Sequence, residues 1–288
     1  MNTEKTKKPM SKRRKIVLIT IAALVLLAMA ELIWSNSYIE VESFEYKNEH
    51  IPDGFDGAKI VSVVDYHNHG GSYEDRLIDK IKAQQPDYIF LEGDIVDAKR
   101  TDLDVVGEFF KKCAAVAPCY LCLGNHEMSV FAKGHKEEYL QLAADAGVNV
   151  LDNKAVTLER NGDTMTLVGT TNAPESTVMS EVLDGKTGSP LLWIHHYPED
   201  FESISSTANS LGYKNVLMFC GHAHGGLIRI PFTRIGAYAP GQGVLPKYTG
   251  GDYYSGDNEM LLSRGCGNSG YTLRFFDPFE IVVCTLKK

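Results

Sequence analysis

The feature that most constrains the fold is a recurring order of segments: an apolar run of strand length, a short polar segment, and then a helical segment. The runs and the polar segments that follow them are 59–64 before 65–67, 88–91 before 92–94, and 119–123 before 124–127. Amphipathic segments at about 72–83 and 102–117 separate the runs. This alternation predicts βαβ units with a parallel sheet, in which ligands bind beyond the carboxyl ends of the strands.

The local signals define further elements. Ser72 is expected to cap the first of these helices, and residues 124–127 are expected to form a loop. Residues 37–47 alternate apolar and polar side chains, which predicts a strand before the first βαβ unit. The later part of the chain predicts a hairpin at 156–167 around Asn161-Gly162 and strands at 190–195, 216–220 and 280–286. We expect one α/β domain with two sheets, over residues 37–288.

The N-terminus predicts a membrane anchor. Residues 1–15 hold seven basic side chains and one glutamate, a net charge of +6, which leaves −14 for the rest of a chain whose total is −8. Residues 16–34 are apolar over nearly the length that a bilayer-spanning helix requires. A basic flank stays in the cytoplasm, so we expect a single-pass protein of the cell membrane with its catalytic domain outside the cytoplasm. A signal peptide cleaved after Ala28-Met29-Ala30 is the alternative.

Charge and cysteine content narrow the function. The strongly acidic body of the chain repels nucleic acid backbones, so we exclude nucleic acid as a partner. The six cysteines lie mostly in apolar runs and are interpreted as core residues. Residues 230–232 and Tyr238 form either a lipid-facing lip or part of the core.

The polar segments after the strands carry side chains that bind metals. Seven of the nine histidines lie in or beside these segments. Imidazole and carboxylate ligands suit zinc, manganese and iron. Residues at i and i+2 of one strand point to the same face, so His222 and His224 are expected to face one cavity, as are Asp65 and His67.

The motifs together resemble the calcineurin-like metallophosphoesterase superfamily, and specifically its membrane-anchored bacterial subgroup. The matching segments are Asp65-Tyr-His67, Gly93-Asp-Ile-Val-Asp97, Gly124-Asn-His-Glu127, His196 before Tyr197-Pro198, and Gly221-His-Ala-His224. The resemblance implies a two-sheet sandwich flanked by helices. Val64 and Tyr66 depart from the family pattern, and we place Tyr66 at the mouth of the pocket.

The resemblance also implies a role for each site residue. Two divalent metal ions, Mn, Zn or Fe, are the expected cofactors. Asp65, His67 and His224 would hold one ion; Asn125, His196 and His222 would hold the other; and Asp94 would bridge both. His126 would face the substrate as the catalytic histidine, with Asp97 orienting its ring.

These residues predict hydrolysis of phosphate esters, either phosphodiesters or phosphomonoesters, by a hydroxide that bridges the two metals. The expected partners are a phosphorylated small-molecule or lipid-linked substrate and the membrane. One alternative is a pyrophosphate hydrolase for a lipid-linked nucleotide sugar of the UDP-diacylglucosamine type. A metal-binding scaffold without turnover is the alternative from another functional class.

Overall fold

The computed structural model describes residues 10–171, 176–183, 190–270 and 272–288. Its helices are α1 Lys12–Ser35, α2 Ser72–Gln84, α3 Leu103–Ala114, α4 Asn125–Val130, α5 Lys136–Ala146, α6 Ser176–Val182 and α7 Phe201–Ser210. Its strands are β1 Ile39–Lys47, β2 Lys59–Val63, β3 Tyr88–Leu91, β4 Cys119–Leu121, β5 Asn149–Val150, β6 Lys154–Arg160, β7 Asp163–Thr170, β8 Leu191–His195, β9 Val216–Cys220, β10 Tyr238–Ala239, β11 Gly243–Val244, β12 Gly251–Ser255, β13 Asn258–Leu262 and β14 Phe279–Lys287.

Two six-stranded sheets pack face to face. The first has the order β1-β14-β2-β3-β4-β5 and the second β12-β13-β9-β8-β7-β6, while β10 and β11 form a separate short ribbon. The inner faces bury one apolar cluster between them, in which Phe90 meets Phe219 edge to face with 5.2 Å between ring centroids. Helices α2, α3 and α5 cover the outer face of the first sheet, and α6 and α7 cover that of the second. The predicted α/β sandwich flanked by helices is confirmed.

The parallel pairs bring the functional strand ends to one edge. Strands β2, β3 and β4 run parallel in the first sheet, and β8 and β9 run parallel in the second. Their carboxyl ends therefore open toward the same end of the sandwich, as the βαβ pattern predicted. The predicted hairpin is also confirmed, with Asn161 at φ 52° and Gly162 at φ 89° in the turn between β6 and β7.

Three local predictions were wrong. Gly71, at φ 69°, occupies the N-cap of α2, and Ser72 is the first residue of the helix. The helix predicted to reach residue 117 ends at Ala114, although Asp102 does cap its start through a bond from the Val105 amide. Residues 125–127 are the first turn of α4 and not a loop, because the Glu127 carboxylate accepts hydrogen bonds at the start of this helix.

Helix α1 has the length and composition of a membrane span. Residues 16–30 are exposed along its surface, as expected for a helix whose apolar side chains would face lipid. Contacts to the folded domain come from its last two turns, where Glu31 and Ser35 accept hydrogen bonds from the backbone of Phe276 and Asp277. All six cysteines are buried in the folded domain with free thiols, in agreement with their interpretation as core residues.

Candidate metal centre

Loops after five parallel strands converge on one site. Its residues Asp65, His67, Asp94, His222 and His224 all have left-handed backbone conformations, with φ of 54°, 50°, 52°, 67° and 46°. Non-glycine residues adopt this conformation at a cost, and such positions concentrate at functional sites. His222 and His224 line one cavity, as predicted, but strand periodicity is not the reason. Both follow β9 in a loop, and the tight turns aim their rings into the site.

Three side chains form a first group around a possible cation. The Nε2 atoms of His67 and His224 lie 3.3 Å apart. They lie 3.9 and 3.8 Å from Oδ1 of Asp65. Three such atoms, all within 4.8 Å of one another and all buried, have the spacing of ligands that share one metal ion.

A second group adjoins the first. His196 Nε2 lies 3.2 Å from Oδ2 of Asp94 and 3.1 Å from Nδ1 of His222. Oδ2 of Asp94 is also 3.9 Å from Nε2 of His67, which belongs to the first group. Asp94 therefore lies within 3.9 Å of ligand-type nitrogen atoms in both groups.

Two oxygen atoms of the site lack hydrogen-bond partners. Oδ1 of Asp65 and Oδ1 of Asn125 are buried, and neither receives a hydrogen bond from any described residue. A buried oxygen without a partner costs on the order of 1–3 kcal/mol, and a bound cation would remove this cost. These atoms, together with the imidazole and carboxylate donors, fit a pair of divalent metal ions.

The electrostatics of the site also favour metal ligation. Burial lowers the pKa of His67 to about 3 and, together with the charge of His196, lowers that of His222 to about 3, so both rings are neutral near pH 7. Burial raises the pKa of Asp65 to about 7, with the charge of Asp94 adding to the effect. Burial opposes a charge on His196, but the charge of Asp94 outweighs this effect and raises the pKa of His196 to about 10, so a cation bound there would displace a proton. The neutral rings of His67 and His222 and the desolvated carboxylate of Asp65 are in the state that binding of a cation stabilises.

His196 has the orientation of a metal ligand. Its Nδ1 donates to the backbone oxygen of Glu92 at 2.7 Å, which leaves Nε2 facing Asp94. Such a second contact fixes the tautomer and the ring orientation of ligating histidines. The neighbouring His195 turns away, with Nε2 3.1 Å from Oδ2 of Asp200 and Nδ1 2.9 Å from the Thr170 hydroxyl. The choice of His196 over His195 thus agrees with this geometry.

His126 reaches the same site from the start of α4. Its Nε2 is 3.9 Å from Oδ2 of Asp94, and its Nδ1 accepts the Ala98 amide at 2.8 Å. Oδ1 of Asp97 is 3.5 Å from Nδ1, so the amide makes the shorter contact to the ring. The Asp97 carboxylate also accepts the amides of Lys99 and Gly270, both at 2.8 Å. Asp97 thereby joins two loops at the site edge.

Tyr66 does not lie at the mouth of the pocket. Its ring is buried beneath α2 and α3, where it stacks on Phe109 with 4.0 Å between centroids, and its hydroxyl donates to Glu74 at 2.5 Å. The departure from the family pattern at this position therefore changes the core. The open part of the site is a cavity of about 310 Å³. Its lining is Asp94, Lys99, Asn125, His126, His222, His224, Leu227, Tyr238, Pro240, Ser269 and Thr272.

Glu127 is a functional residue whose role the sequence reasoning missed. Its buried carboxylate accepts the amides of Asp94, Ile95, Val96 and Gly124 at 2.8–3.2 Å. These bonds hold the loop that carries Asp94 against the loop that carries Asn125. The signal was present as an acidic residue three positions after Gly124, the spacing at which a side chain returns to a helix N-terminus.

Arg274 is the second residue whose role at the site was not predicted from the sequence. It is fully buried, and its Nη2 lies 3.0 Å from Nδ1 of His224 and 2.9 Å from the Gly267 oxygen. Its Nε donates to the side chain of Asn268 at 3.0 Å. Burial and the charge of Arg274 lower the pKa of His224, which keeps this ring neutral. No local pattern marks this arginine, because its partner is 50 residues away in the chain.

Comparison with known proteins matches the chain to one family. The family model described as calcineurin-like phosphoesterase matches residues 60–226, more than half of the chain. An uncharacterized metallophosphoesterase of Bacillus subtilis, YkuE, is 29% identical over 86% of this chain and 86% of its own length. The Escherichia coli phosphodiesterase YaeI is 29% identical over 70% of this chain and 71% of its own. A dimetal phosphatase from Danio rerio is 13% identical, with a TM-score of 0.45 over 73% of this chain and 88% of that one.

Proposed function

Because the chain belongs to the calcineurin-like phosphoesterase family and is a metal-dependent phosphoester hydrolase, we propose that its preferred bond is a phosphodiester. The observation that supports catalysis most directly is the pair of buried ligand groups that meet at Asp94 in one cavity. The Escherichia coli phosphodiesterase, at 29% identity, supports a diester substrate over a monoester. The proposed partners are phosphorylated small molecules or lipid-linked phosphate compounds.

The proposed ligands divide between two divalent ions, Mn, Zn or Fe. Asp65, His67 and His224 hold the first ion and Asn125, His196 and His222 hold the second, with Asp94 shared. When bound, the ions supply Lewis acidity and an activated water nucleophile. The spacing of the ligand atoms and the partnerless oxygens of Asp65 and Asn125 support this division.

His126 is proposed as the group that acts on the leaving oxygen. Its Nδ1 accepts the Ala98 amide, so the ring proton lies on Nε2, which faces the cavity. The Nε2–H group can donate a hydrogen bond to the oxygen that leaves phosphorus and stabilise the charge that develops there, a contribution on the order of 10²–10³ in rate. Asp97 is proposed as a positioning residue, since its carboxylate holds the loop that carries Ala98 through the Lys99 amide.

The location of the enzyme is also a proposal. Residues 1–15 are the proposed cytoplasmic tail, 16–34 the membrane span and 37–288 the catalytic domain outside the cytoplasm. The exposed apolar surface of α1 and the basic residues before it support this arrangement.

The proposed function is tested with the full-length protein in detergent, with Mn²⁺, Zn²⁺ or Fe²⁺ added separately. We expect hydrolysis of bis-p-nitrophenyl phosphate to exceed that of p-nitrophenyl phosphate. His126→Ala should lower turnover on the order of 10²–10³-fold, because a hydrogen bond to the leaving oxygen is lost. Metal content should stay unchanged, because the ring is not among the proposed ligands. His135→Ala, at an exposed histidine immediately before α5, is the matched control and should retain activity.

Two results would contradict the proposal. A metal-loaded wild-type protein that cleaves neither compound would favour the metal-binding scaffold. Loss of metal from the His126→Ala protein would show that this histidine is a ligand, and that its assignment to the leaving group is wrong.

A further inference from the structure

The end of α1 is fixed to a loop of the catalytic domain. Asn36 forms two bonds with the backbone of Arg274: its Nδ2 donates to the carbonyl at 2.8 Å, and its Oδ1 accepts the amide at 3.0 Å. Glu31 accepts the Phe276 amide at 2.6 Å. With several bonds of this kind, the domain cannot swing freely about the helix end. The side of the domain that carries residues 272–278 therefore stays close to the point where α1 would leave a bilayer.

A second segment, 227–245, is joined to that same loop. The Arg229 amide donates to the Phe275 oxygen at 3.0 Å, and the Phe275 amide donates to the Leu227 oxygen at 2.9 Å. Trp34 of α1 and Phe232 of the 227–245 segment line one groove of about 990 Å³. Tryptophan at the end of a membrane helix lies at the level of the lipid headgroups. The shared groove places Phe232 beside that level.

The 227–245 segment exposes apolar side chains that nothing in the described structure covers. Phe232 is fully exposed, and Val244 and Leu245 are 77% and 71% exposed. The other exposed apolar side chains of the segment are Ile228, Ile230, Ile235 and Tyr238. Soluble monomers rarely expose so many apolar side chains together, and such patches mark interaction surfaces. Of the two possibilities, a lip and a core segment, the exposure excludes the core.

Charged side chains of both signs accompany the apolar side chains. Arg229 and Arg234 line the same groove, and so do Glu40 and Glu42. Arg234 is also paired with Asp252 at 2.7 Å. The position of the groove therefore identifies the partner better than its charge does, because apolar tips at the level where a spanning helix leaves the bilayer can enter the acyl boundary while the charged groups stay among the headgroups. This position beside the end of α1 favours a lipid surface over a second copy of this chain or an apolar groove of another protein.

The same segment also borders the catalytic cavity. Leu227, Tyr238 and Pro240 line the cavity together with His222 and His224. The apolar tips and the cavity wall are therefore parts of one continuous stretch of chain. A bilayer that contacts the tips would also approach the mouth of the cavity.

We propose that the 227–245 segment is a second membrane contact, which inserts Phe232, Val244 and Leu245 into the bilayer and presents the cavity to phosphoesters in the headgroup layer. This inference rests on the proposed function and deepens it, because it makes lipid-borne phosphoesters the substrate class that reaches the cavity by lateral diffusion. Anchoring by α1 restricts the domain to the membrane, and the segment determines which side of the domain faces the lipid.

The contact is tested by measuring the depth of a probe in the full-length protein reconstituted into phosphatidylcholine–phosphatidylglycerol vesicles. The native cysteines are buried, so a thiol-reactive fluorophore will label an introduced Phe232→Cys selectively. Nitroxide groups on the acyl chains should quench this probe, and iodide in the water should not. Glu137→Cys on α5, which packs at the β5 end of the first sheet and away from β1, is the matched control and should show the opposite pattern.

A functional arm uses the combined variant Phe232→Ser, Val244→Ser and Leu245→Ser. Because these side chains are exposed, the variant should keep its melting temperature and its activity on a soluble phosphodiester. Its rate on a phosphodiester carried by a lipid in the same vesicles should fall several-fold. Equal loss on both substrates would contradict selective access from the membrane.

The outcomes separate the two proposals. A probe at Phe232 that iodide quenches as strongly as the control overturns the membrane contact, whatever the enzyme hydrolyses. A Phe232 probe shielded from both quenchers indicates burial against protein, such as a second copy of the chain, and also overturns it. Quenching by lipid without hydrolysis of any phosphoester supports the contact and contradicts the proposed function alone.

Discussion

A single carboxylate, Glu127, organises the backbone of the metal site. It accepts four main-chain amides and the Tyr139 hydroxyl without any solvent contact. We predict that Glu127→Gln lowers the free energy of unfolding by about 2–4 kcal/mol, because the new NH₂ group cannot accept and leaves two buried amides without a partner. Metal affinity should fall as well, since Asp94 and Asn125 lie on the two loops that the carboxylate joins. Urea denaturation and metal titration measure the two effects.

Glu137→Gln is the control for this substitution, because Glu137 is exposed in the first turn of α5. It should change the unfolding free energy by less than about 0.5 kcal/mol. Equal stability of the two variants would show that the Glu127 charge does not hold the loops.

At the scale of the elements, the two sheets approach each other closely where β9 ends beside β2. A Cβ on Gly221 would lie 2.2 Å from Cγ2 of Val64 and 2.8 Å from Oδ2 of Asp65. We predict that Gly221→Ala destabilises the fold by about 1–3 kcal/mol, because the sheets must separate at this contact. The separation would also move Asp65 away from His222, whose amide donates to Asp65 at 2.9 Å, so metal binding should weaken. Thermal melting with and without metal measures both.

Ser206→Ala, on the exposed face of α7, is the control for a substitution to alanine at a position where no packed contact changes. It should melt within a degree or two of the wild type. A Gly221→Ala protein with unchanged melting and metal affinity would show that the close approach of β9 and β2 is not required.

At the scale of the whole molecule, the N-terminal end of the chain is basic and then apolar, whereas the folded domain is acidic. The basic residues of 5–15, which precede the apolar stretch of α1, predict that the C-terminus lies outside the cytoplasm. A reporter that is active only outside the cytoplasm, fused after Lys288, should therefore be active. Replacing the basic residues of 12–15 with glutamate should reduce that activity, because the positive charge sets the orientation. Activity of a cytoplasm-only reporter at the same position would contradict the proposed topology.

Much of the fold followed from local patterns. The alternation of apolar runs and amphipathic helices predicted the parallel strands, and the placement of Asp65, Asp94 and His222 after those strands predicted that they would meet. These predictions succeed because a parallel sheet brings successive carboxyl ends to one edge whatever the intervening loops contain. The apolar helix α1 could also be predicted from a local pattern, because the thickness of a bilayer determines the required length and the rest of the chain does not.

The sequence by itself thus determined the alternation of strands and helices and the apolar helix, and it supplied the set of proposed ligand side chains. Only the tertiary structure decided that Glu127 holds two ligand loops together, that Arg274 contacts His224, and that Asn36 bonds to a residue 238 positions away. It also decided that left-handed turns, and not strand periodicity, direct His222 and His224 into the site. Such contacts join segments far apart in the chain, and a local pattern carries no information about a partner that only packing supplies.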